Sequence, residues 1–199
     1  MKERLIHISH IVKTTLLFFS VCLVACSPRS QRQAEPAVAY DTLFTTCYQT
    51  SHGAYYTDGG LENNVVSLDL YSEGLTLNNQ GMIEGTGTNL YFSDLYLPDS
   101  IRYLLPGTYT SDTTGNVFTF LPGTSFQGNF TGAYLLSISG GELISYRLLP
   151  AGTLSVSVSD SVALRSAFKR ETVVYTLRFA EPSDSRTKYH AAFEGLLRN

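Results

Sequence analysis

The sequence predicts an all-β protein built from antiparallel strands. Apolar and polar residues alternate with a period of two in several stretches, which is typical of strands that bury one face. The chain also contains 13 Tyr and 11 Phe, and aromatic residues are enriched in strands. Turn-forming residues separate the stretches at short intervals. These features predict an antiparallel β-sandwich of about nine or ten strands, with a closed up-and-down β-barrel as the alternative.

The clearest strands are those in which the alternation is uninterrupted. In Asn64 to Tyr71, Val66, Leu68 and Leu70 share one face while Ser67 and Asp69 share the other. Less regular stretches also read as strands, whereas Ser161 to Phe168 is compatible with one or two helical turns. The further predicted strands are Leu43–Tyr48, Thr88–Leu97, Asn116–Phe120, Ala133–Ile138, Leu154–Val158, Val173–Phe179 and Tyr189–Leu196. The predicted turns are Asp58–Gly60, Asn78–Gly81, Ser111–Gly115, Ser139–Gly141 and Pro182–Asp184.

A Leu-Pro pair followed by Gly-Thr recurs three times, beginning at Leu105, Leu121 and Leu149. Proline ends the pairing of a strand, glycine permits a tight turn, and threonine suits the start of the next strand. The recurrence predicts three similar corners within one sheet system.

The N-terminus predicts a secretory signal helix over residues 1–25. Positive charge at Lys2, Arg4 and Lys13 precedes an apolar run from Thr14 to Leu23. This run is too short for a membrane-spanning helix. Residues 26–38 are rich in Ser, Pro, Arg, Gln and Ala, which predicts a disordered tether. Residues 39–199 have the length of a single domain.

The motif Leu23-Val24-Ala25-Cys26 resembles the lipobox of bacterial lipoproteins. The resemblance implies that the Cys26 thiol carries a diacylglycerol and that Cys26 becomes the N-terminus, so that the membrane is a partner through this lipid. Ser27 follows the cysteine where lipoproteins of the inner membrane often have Asp, which favours the outer membrane. The periplasmic and surface faces both remain open.

The lipobox, the short tether and several strand motifs together resemble small β-rich lipoproteins of Bacteroides-like bacteria. The strand motifs are Gly107-Thr108-Tyr109, Gly152-Thr153 and Ala192-Phe193-Glu194-Gly195. This resemblance implies an exported β-rich domain and carries no catalytic residues.

Charge and rare residues argue against several classes of function. Without residues 1–25 the chain has 11 basic and 16 acidic side chains, which does not suggest a nucleic-acid partner. No motif for a metal or other cofactor is present, and His52 and His190 are the only histidines after Cys26. We therefore expect no enzyme activity and no cofactor. We interpret Cys47, in an apolar alternating stretch, as a buried structural cysteine rather than as a partner of His52 in catalysis.

Four tyrosines are the candidate binding residues: Tyr55, Tyr56, Tyr96 and Tyr103. Tyrosines on loops of a β-scaffold bind proteins or glycans, although tyrosines also pack in cores and at edges. The sequence favours a lipid-anchored binding or accessory protein of the cell envelope. A pilus-like or envelope-assembly subunit is the alternative, and a hydrolase is a weaker one. A barrel version of the binding hypothesis would predict an apolar cavity for a small ligand.

Overall fold

The computed structural model describes residues 40–56, 62–182 and 188–199. The predicted signal, Cys26 and the predicted tether lie outside the described residues, as do the Asp58–Gly60 turn and part of the turn after Pro182. The elements in chain order are β1 (Thr42–Tyr56), β2 (Glu62–Ser72), β3 (Leu75–Leu77), β4 (Ile83–Gly85), β5 (Gly87–Leu97), β6 (Gly107–Ser111), β7 (Thr119–Phe120), β8 (Thr124–Phe126), β9 (Asn129–Thr131), β10 (Ala133–Ser139), β11 (Glu142–Leu148), β12 (Thr153–Val158), α1 (Ser161–Leu164), a 3₁₀ turn (Arg170–Thr172), β13 (Val174–Ala180) and β14 (His190–Arg198).

The protein is all-β, and eight of its strands close into a barrel. The barrel order is β5-β2-β1-β14-β13-β12-β6-β7, and β7 pairs back to β5 through Leu95 with Phe120 and Tyr96 with Thr119. The closed barrel fits the alternative prediction, and the sandwich is not confirmed. Two of its pairs, β1 with β14 and β6 with β7, are parallel, so the connectivity is more complex than a plain up-and-down meander.

Long, irregular strands allow the sheet to curve until it closes. β1 runs for 15 residues and its pairing with β2 shifts register between Phe44 and Thr46 and again between Ser51 and Gly53. Such bulges increase local twist and bend the strand, which is what closing a sheet requires. Period-two alternation is the same in a sandwich and in a barrel, and therefore could not distinguish them.

The barrel interior is filled by the apolar residues that the alternation predicts. Val66, Leu68 and Leu70 of β2 are buried, and Phe92 packs edge to face on Phe120 and Phe179 with ring centroids 5.2 and 5.6 Å away. One void in this interior has no room for a water molecule; its lining is Leu70, Leu90, Phe92, Leu154, Leu177, Phe179, Ala191 and Ala192. This void therefore does not supply the apolar cavity that a barrel version of the binding hypothesis predicts.

The opposite face of β2 is also covered, unlike the half-buried strand that the sequence predicts. Ser67 and Tyr71 are buried, and Tyr71 forms a second apolar cluster with Leu75 and Ile138 outside the barrel. Leu75 belongs to the short sheet of β3 and β4, and the predicted Asn78–Gly81 turn lies in the connection between these two strands. That hairpin packs on the outer wall, so the polar side of β2 is shielded.

The three Leu-Pro corners precede β6, β8 and β12, as predicted for strand starts. The prediction that all three belong to one sheet system is wrong, because β8 pairs only with β9 in a separate two-stranded sheet. Two of the glycines are required by close packing. A Cβ at Gly123 would lie 2.0 Å from the Ala133 carbonyl oxygen, and one at Gly152 would lie 2.4 Å from the Phe179 ring.

Gln49 fastens the segment between β5 and β6 to the barrel. Its side-chain amide donates to the Arg102 carbonyl oxygen at 3.3 Å, and its carbonyl oxygen accepts from the Leu104 backbone N–H at 2.9 Å. Leu104 is fully buried in the core, and the Tyr175 hydroxyl donates to the Leu104 carbonyl oxygen at 3.1 Å. These bonds satisfy backbone groups that would otherwise be buried without partners.

We predict that Gln49→Met lowers the free energy of unfolding by about 1–3 kcal/mol, because at similar side-chain volume it leaves the buried Leu104 N–H and the partly buried Arg102 carbonyl oxygen without their partner. Urea denaturation measures the change. The control is Gln80→Met in an exposed turn, which we expect to alter stability by less than about 0.5 kcal/mol. Equal effects of the two substitutions would show that the Gln49 bonds contribute nothing.

Candidate functional site

Tyr55 and Tyr96 meet on the outer wall of the barrel. Their rings are 5.6 Å apart in an edge-to-face arrangement, with Tyr55 47% exposed and Tyr96 only 4% exposed. Burial, followed by the nearby Asp94 and Tyr55, raises the pKa of Tyr96 to about 12. Tyr96 therefore packs as a structural residue and only Tyr55 presents an accessible ring. The side chain of Tyr56 lies outside the described part of the structure.

Tyr103 lies in the segment between β5 and β6, apart from that pair. Its ring is half-buried against the core and is covered by the Arg170 guanidinium, whose carbon lies 3.8 Å from the ring centroid. No ring contact among the described residues joins Tyr103 to Tyr55 or Tyr96. Of the three candidate tyrosines whose side chains are described, Tyr55 and Tyr96 are thus in contact with each other, and Tyr103 contacts Arg170 instead.

Tyr103 instead lines a pocket of about 220 Å³ beside the start of β13. The pocket lies where the segment after β5 meets the segment that contains α1 and the 3₁₀ turn. Its lining residues are Gln49, Arg102, Tyr103, Ala167, Arg170, Glu171, Tyr175, Leu197 and Asn199. Asp160 fixes the second segment by accepting hydrogen bonds from the Val162 and Ala163 backbone N–H groups, both at 2.9 Å.

Several exposed apolar side chains lie around β11, which the sequence did not identify as a strand. We define the β11 face as Phe130, Leu143, Ile144 and Tyr146. Ile144 is 65% exposed, Tyr146 53% and Leu143 51%. Phe130 of β9 packs on Tyr146 with ring centroids 4.4 Å apart, so the β8–β9 hairpin and β11 present one joined surface.

β11 is also an open sheet edge. It pairs with β10, and within residues 40–56, 62–182 and 188–199 no strand pairs with its other side. The register shifts so that Leu143 lies opposite Ile138 while Ser145 lies opposite Ser137, which leaves Ile144 as the extra residue of a bulge. Because of this bulge, Leu143 and Tyr146 share a face although they are three positions apart. The signal that could have found β11 is the Ser139–Gly141 turn followed by a run rich in strand-forming residues.

An apolar groove adjoins the β11 face. It has a volume of about 540 Å³ and lies between the β3–β4 hairpin and the β10–β11 hairpin. Met82 and Ile83 form one wall, Leu136 and Ile138 contribute from β10, and Leu143 belongs to both the groove and the β11 face. Met82 is itself 56% exposed. The apolar surface therefore extends from the β8–β9 hairpin across β11 to the β3–β4 hairpin.

Asp69 forms a polar network on the covered face of β2. Its carboxylate accepts hydrogen bonds from the Tyr71 hydroxyl and the Asn89 side-chain amide, and that amide also donates to the Leu70 carbonyl oxygen at 3.0 Å. Burial raises the pKa of Asp69, and the two hydrogen bonds oppose that rise. Burial and, to a smaller extent, the Asp69 charge raise the pKa of the fully buried Cys47 thiol. Cys47 is a buried structural cysteine, as predicted.

Among the described residues, no group of three or more His, Cys, Asp or Glu side chains is placed to hold a metal ion. His52 contacts the Ser67 hydroxyl oxygen at 3.0 Å, whereas Cys47 lies fully buried on the inner side. The Cys47–His52 pair considered from the sequence therefore does not form a nucleophile and base.

We predict that Asp69 makes the protein less stable as the pH rises above about 4. Between its ordinary pKa of 3.8 and its raised value in the fold, the unfolded chain has released the proton that the folded chain still holds. The free energy of unfolding therefore falls with rising pH across this window. Urea denaturation from pH 4 to pH 7 should show a smaller fall for Asp69→Asn. Asp99→Asn, at an exposed turn, is the matched control, and an unchanged slope in Asp69→Asn would contradict the prediction.

No helix within the described residues is long and apolar enough to cross a membrane.

No protein-family model matches the chain, and comparison with curated proteins and with solved structures gives no match either.

Proposed function

We propose that this chain is a lipid-anchored protein of the cell envelope that binds another protein through the β11 face. The anchor rests on the lipobox at Cys26, on the predicted tether over residues 26–38, and on the resemblance to small β-rich lipoproteins of Bacteroides-like bacteria. Attachment to the outer membrane is part of the proposal. The binding role is carried by one observation: an open strand edge flanked by exposed apolar side chains.

A long apolar edge strand is a hazard for an exported protein, because unpaired backbone groups beside apolar side chains recruit other chains. Proteins usually protect such edges with charges, proline or short length. β11 has seven residues and carries Leu143, Ile144 and Tyr146 within it. Its bulge limits pairing but leaves these side chains exposed. A surface of this kind is typical of an interaction site.

The composition of the surface favours a protein partner over a glycan. Leu143, Ile144 and Met82 are aliphatic, and they supply burial without the hydrogen bonds that sugar hydroxyl groups need. The open edge adds backbone donors and acceptors that an extended peptide can satisfy as a new strand. We therefore propose that an extended segment of the partner pairs with β11 while its side chains contact Tyr146 and the adjoining groove.

A structural subunit is the second candidate, because the same open edge could pair with another copy of this chain. The two candidates differ in the mass of the complex formed at β11: a heteromeric complex supports the binding protein, and a ladder of multiples of this chain supports the subunit.

We predict that Cys26→Ser removes the protein from the membrane fraction, because a peptide segment with one or no acyl chains holds a protein only weakly. Fractionation of cells expressing the wild-type and variant chains, followed by immunoblotting, measures the change. Ser27→Ala is the matched control and should remain with the outer membrane. Membrane attachment of the Cys26→Ser variant would contradict the lipid anchor.

We predict that a photo-crosslinking residue at Ile144 captures a discrete protein partner in intact cells. The control position is Val162, which is 79% exposed but lies on α1, away from the β11 face. Tyr146→Lys should reduce the Ile144 adduct by about tenfold or more, because a charged side chain replaces an aromatic contact residue. Equal adducts at both positions would contradict the proposal, and adducts composed only of this chain would favour the structural subunit.

A further inference from the structure

The pocket beside the start of β13 contains a half-buried arginine whose position is fixed by its neighbours. The Arg170 guanidinium stacks on the Tyr103 ring at 3.8 Å, and its Nε–H donates to the Leu164 carbonyl oxygen at 3.1 Å. A guanidinium has five N–H donors. The bond to Leu164 uses the Nε–H, and among the described residues no hydrogen bond uses the four N–H groups on the terminal nitrogens. Arg170 is therefore oriented by its stack and still has its two terminal nitrogens available.

Two arginines and two acidic groups line the pocket. Arg102 lines it together with Arg170, and the acidic groups are the Glu171 side chain and the α-carboxylate of Asn199. Within the part of the chain that the structure describes, neither Arg102 nor Arg170 forms an ion pair. A neighbouring groove shares Glu171 and Asn199 with the pocket and adds Arg198. Neither arginine of the pocket is therefore held by an acidic group, although two acidic groups belong to the same lining.

Two walls of the pocket are held in place by hydrogen bonds. Gln49 is held by both ends of its amide, to Arg102 and to Leu104. The Tyr175 hydroxyl is engaged by the Leu104 carbonyl oxygen, and burial raises the pKa of Tyr175 while the nearby Arg170 charge opposes that rise. A pocket whose walls are already ordered loses little entropy when a ligand enters.

We propose that this pocket binds the carboxylate of a small organic acid, with Arg170 as the main ligand residue and Arg102 as the second. A planar carboxylate accepts two parallel N–H bonds from a guanidinium, and such paired bonds are among the strongest in proteins. The volume of about 220 Å³ is below that of sites for drug-sized molecules. Glu171 at the rim disfavours multiply charged anions, which makes a single carboxylate a better fit than phosphate.

The simpler interpretation is that Arg170 only fastens the 3₁₀ turn to Tyr103. That role explains the stack and the Nε–H bond. It does not explain why a second arginine lines the same pocket while neither has an acidic partner among the described residues. The two interpretations differ in what they predict for added carboxylate.

Nuclear magnetic resonance titration of the full chain in detergent micelles tests the proposal, with acetate as the probe and acetamide as its neutral analogue. We expect saturable shifts of the Arg170 Nε–H and Tyr103 signals with acetate and none with acetamide. Arg170→Gln and Arg102→Gln should each weaken acetate binding by about tenfold or more, because each removes a charged donor. Arg178→Gln, an exposed arginine on β13, should bind as the wild type does.

Arg170→Gln also removes the stack on Tyr103 and could disturb folding, whereas Arg102 is exposed and its side chain has no hydrogen bond within the described residues. If the Arg170→Gln variant unfolds, the acetate affinity of Arg102→Gln tests the proposal by itself. Shifts that do not saturate, equal shifts with acetate and acetamide, or wild-type affinity in Arg102→Gln would overturn the proposal. Each of these results is independent of whether a partner binds the β11 face.

Discussion

The architecture depends on β5, because one edge of this strand pairs with two different strands. The first half of β5 pairs with β10 from Gly87 to Phe92, and the second half pairs with the two residues of β7 at Leu95 and Tyr96. The short β7 contact closes the barrel. The same closure leaves β10 and β11 as an extension that cannot enter the barrel wall. A closed sheet has no edges, so among the described strands this division leaves β11 as an open edge outside the barrel. The part of β1 beyond Tyr48 also pairs on one side only, with β2.

Closure also determines where function can lie. The interior is filled by side chains, and Leu104 and Leu149, from the segments next to two of the Leu-Pro corners, are both fully buried. An eight-stranded barrel is just wide enough for its interior to be filled in this way. The binding proposed above therefore uses the outer surface and the connecting segments, which is where a rigid scaffold most often carries its function. The β11 face lies on the outer surface, and the Arg170 pocket lies between connecting segments.

The sequence predicted the strands in which apolar and polar side chains alternate without a break, and it missed β11, in which they do not. The predicted strand Asn64–Tyr71 falls within β2, and Leu154–Val158 within β12. β11 was missed because its bulge places Leu143 and Tyr146 on one face and so breaks the alternation. Closure was not predictable, since the β7 pairing involves two residues with no distinctive pattern. The sequence singled out Tyr103 as a candidate binding residue, but it could not predict the contact of Tyr103 with Arg170, which brings together two segments far apart in sequence.

The start of the described chain is held to β14 by two hydrogen bonds. The Asp41 backbone N–H donates to the His190 carbonyl oxygen at 2.8 Å, and the His190 N–H donates to the Asp41 carboxylate at 2.7 Å. A tether over residues 26–38, as the sequence predicts, could extend at most about 45 Å. The Asp41–His190 bonds fix the position at which the described chain begins. In the proposed function, the partner would contribute an extended segment to the open edge of β11.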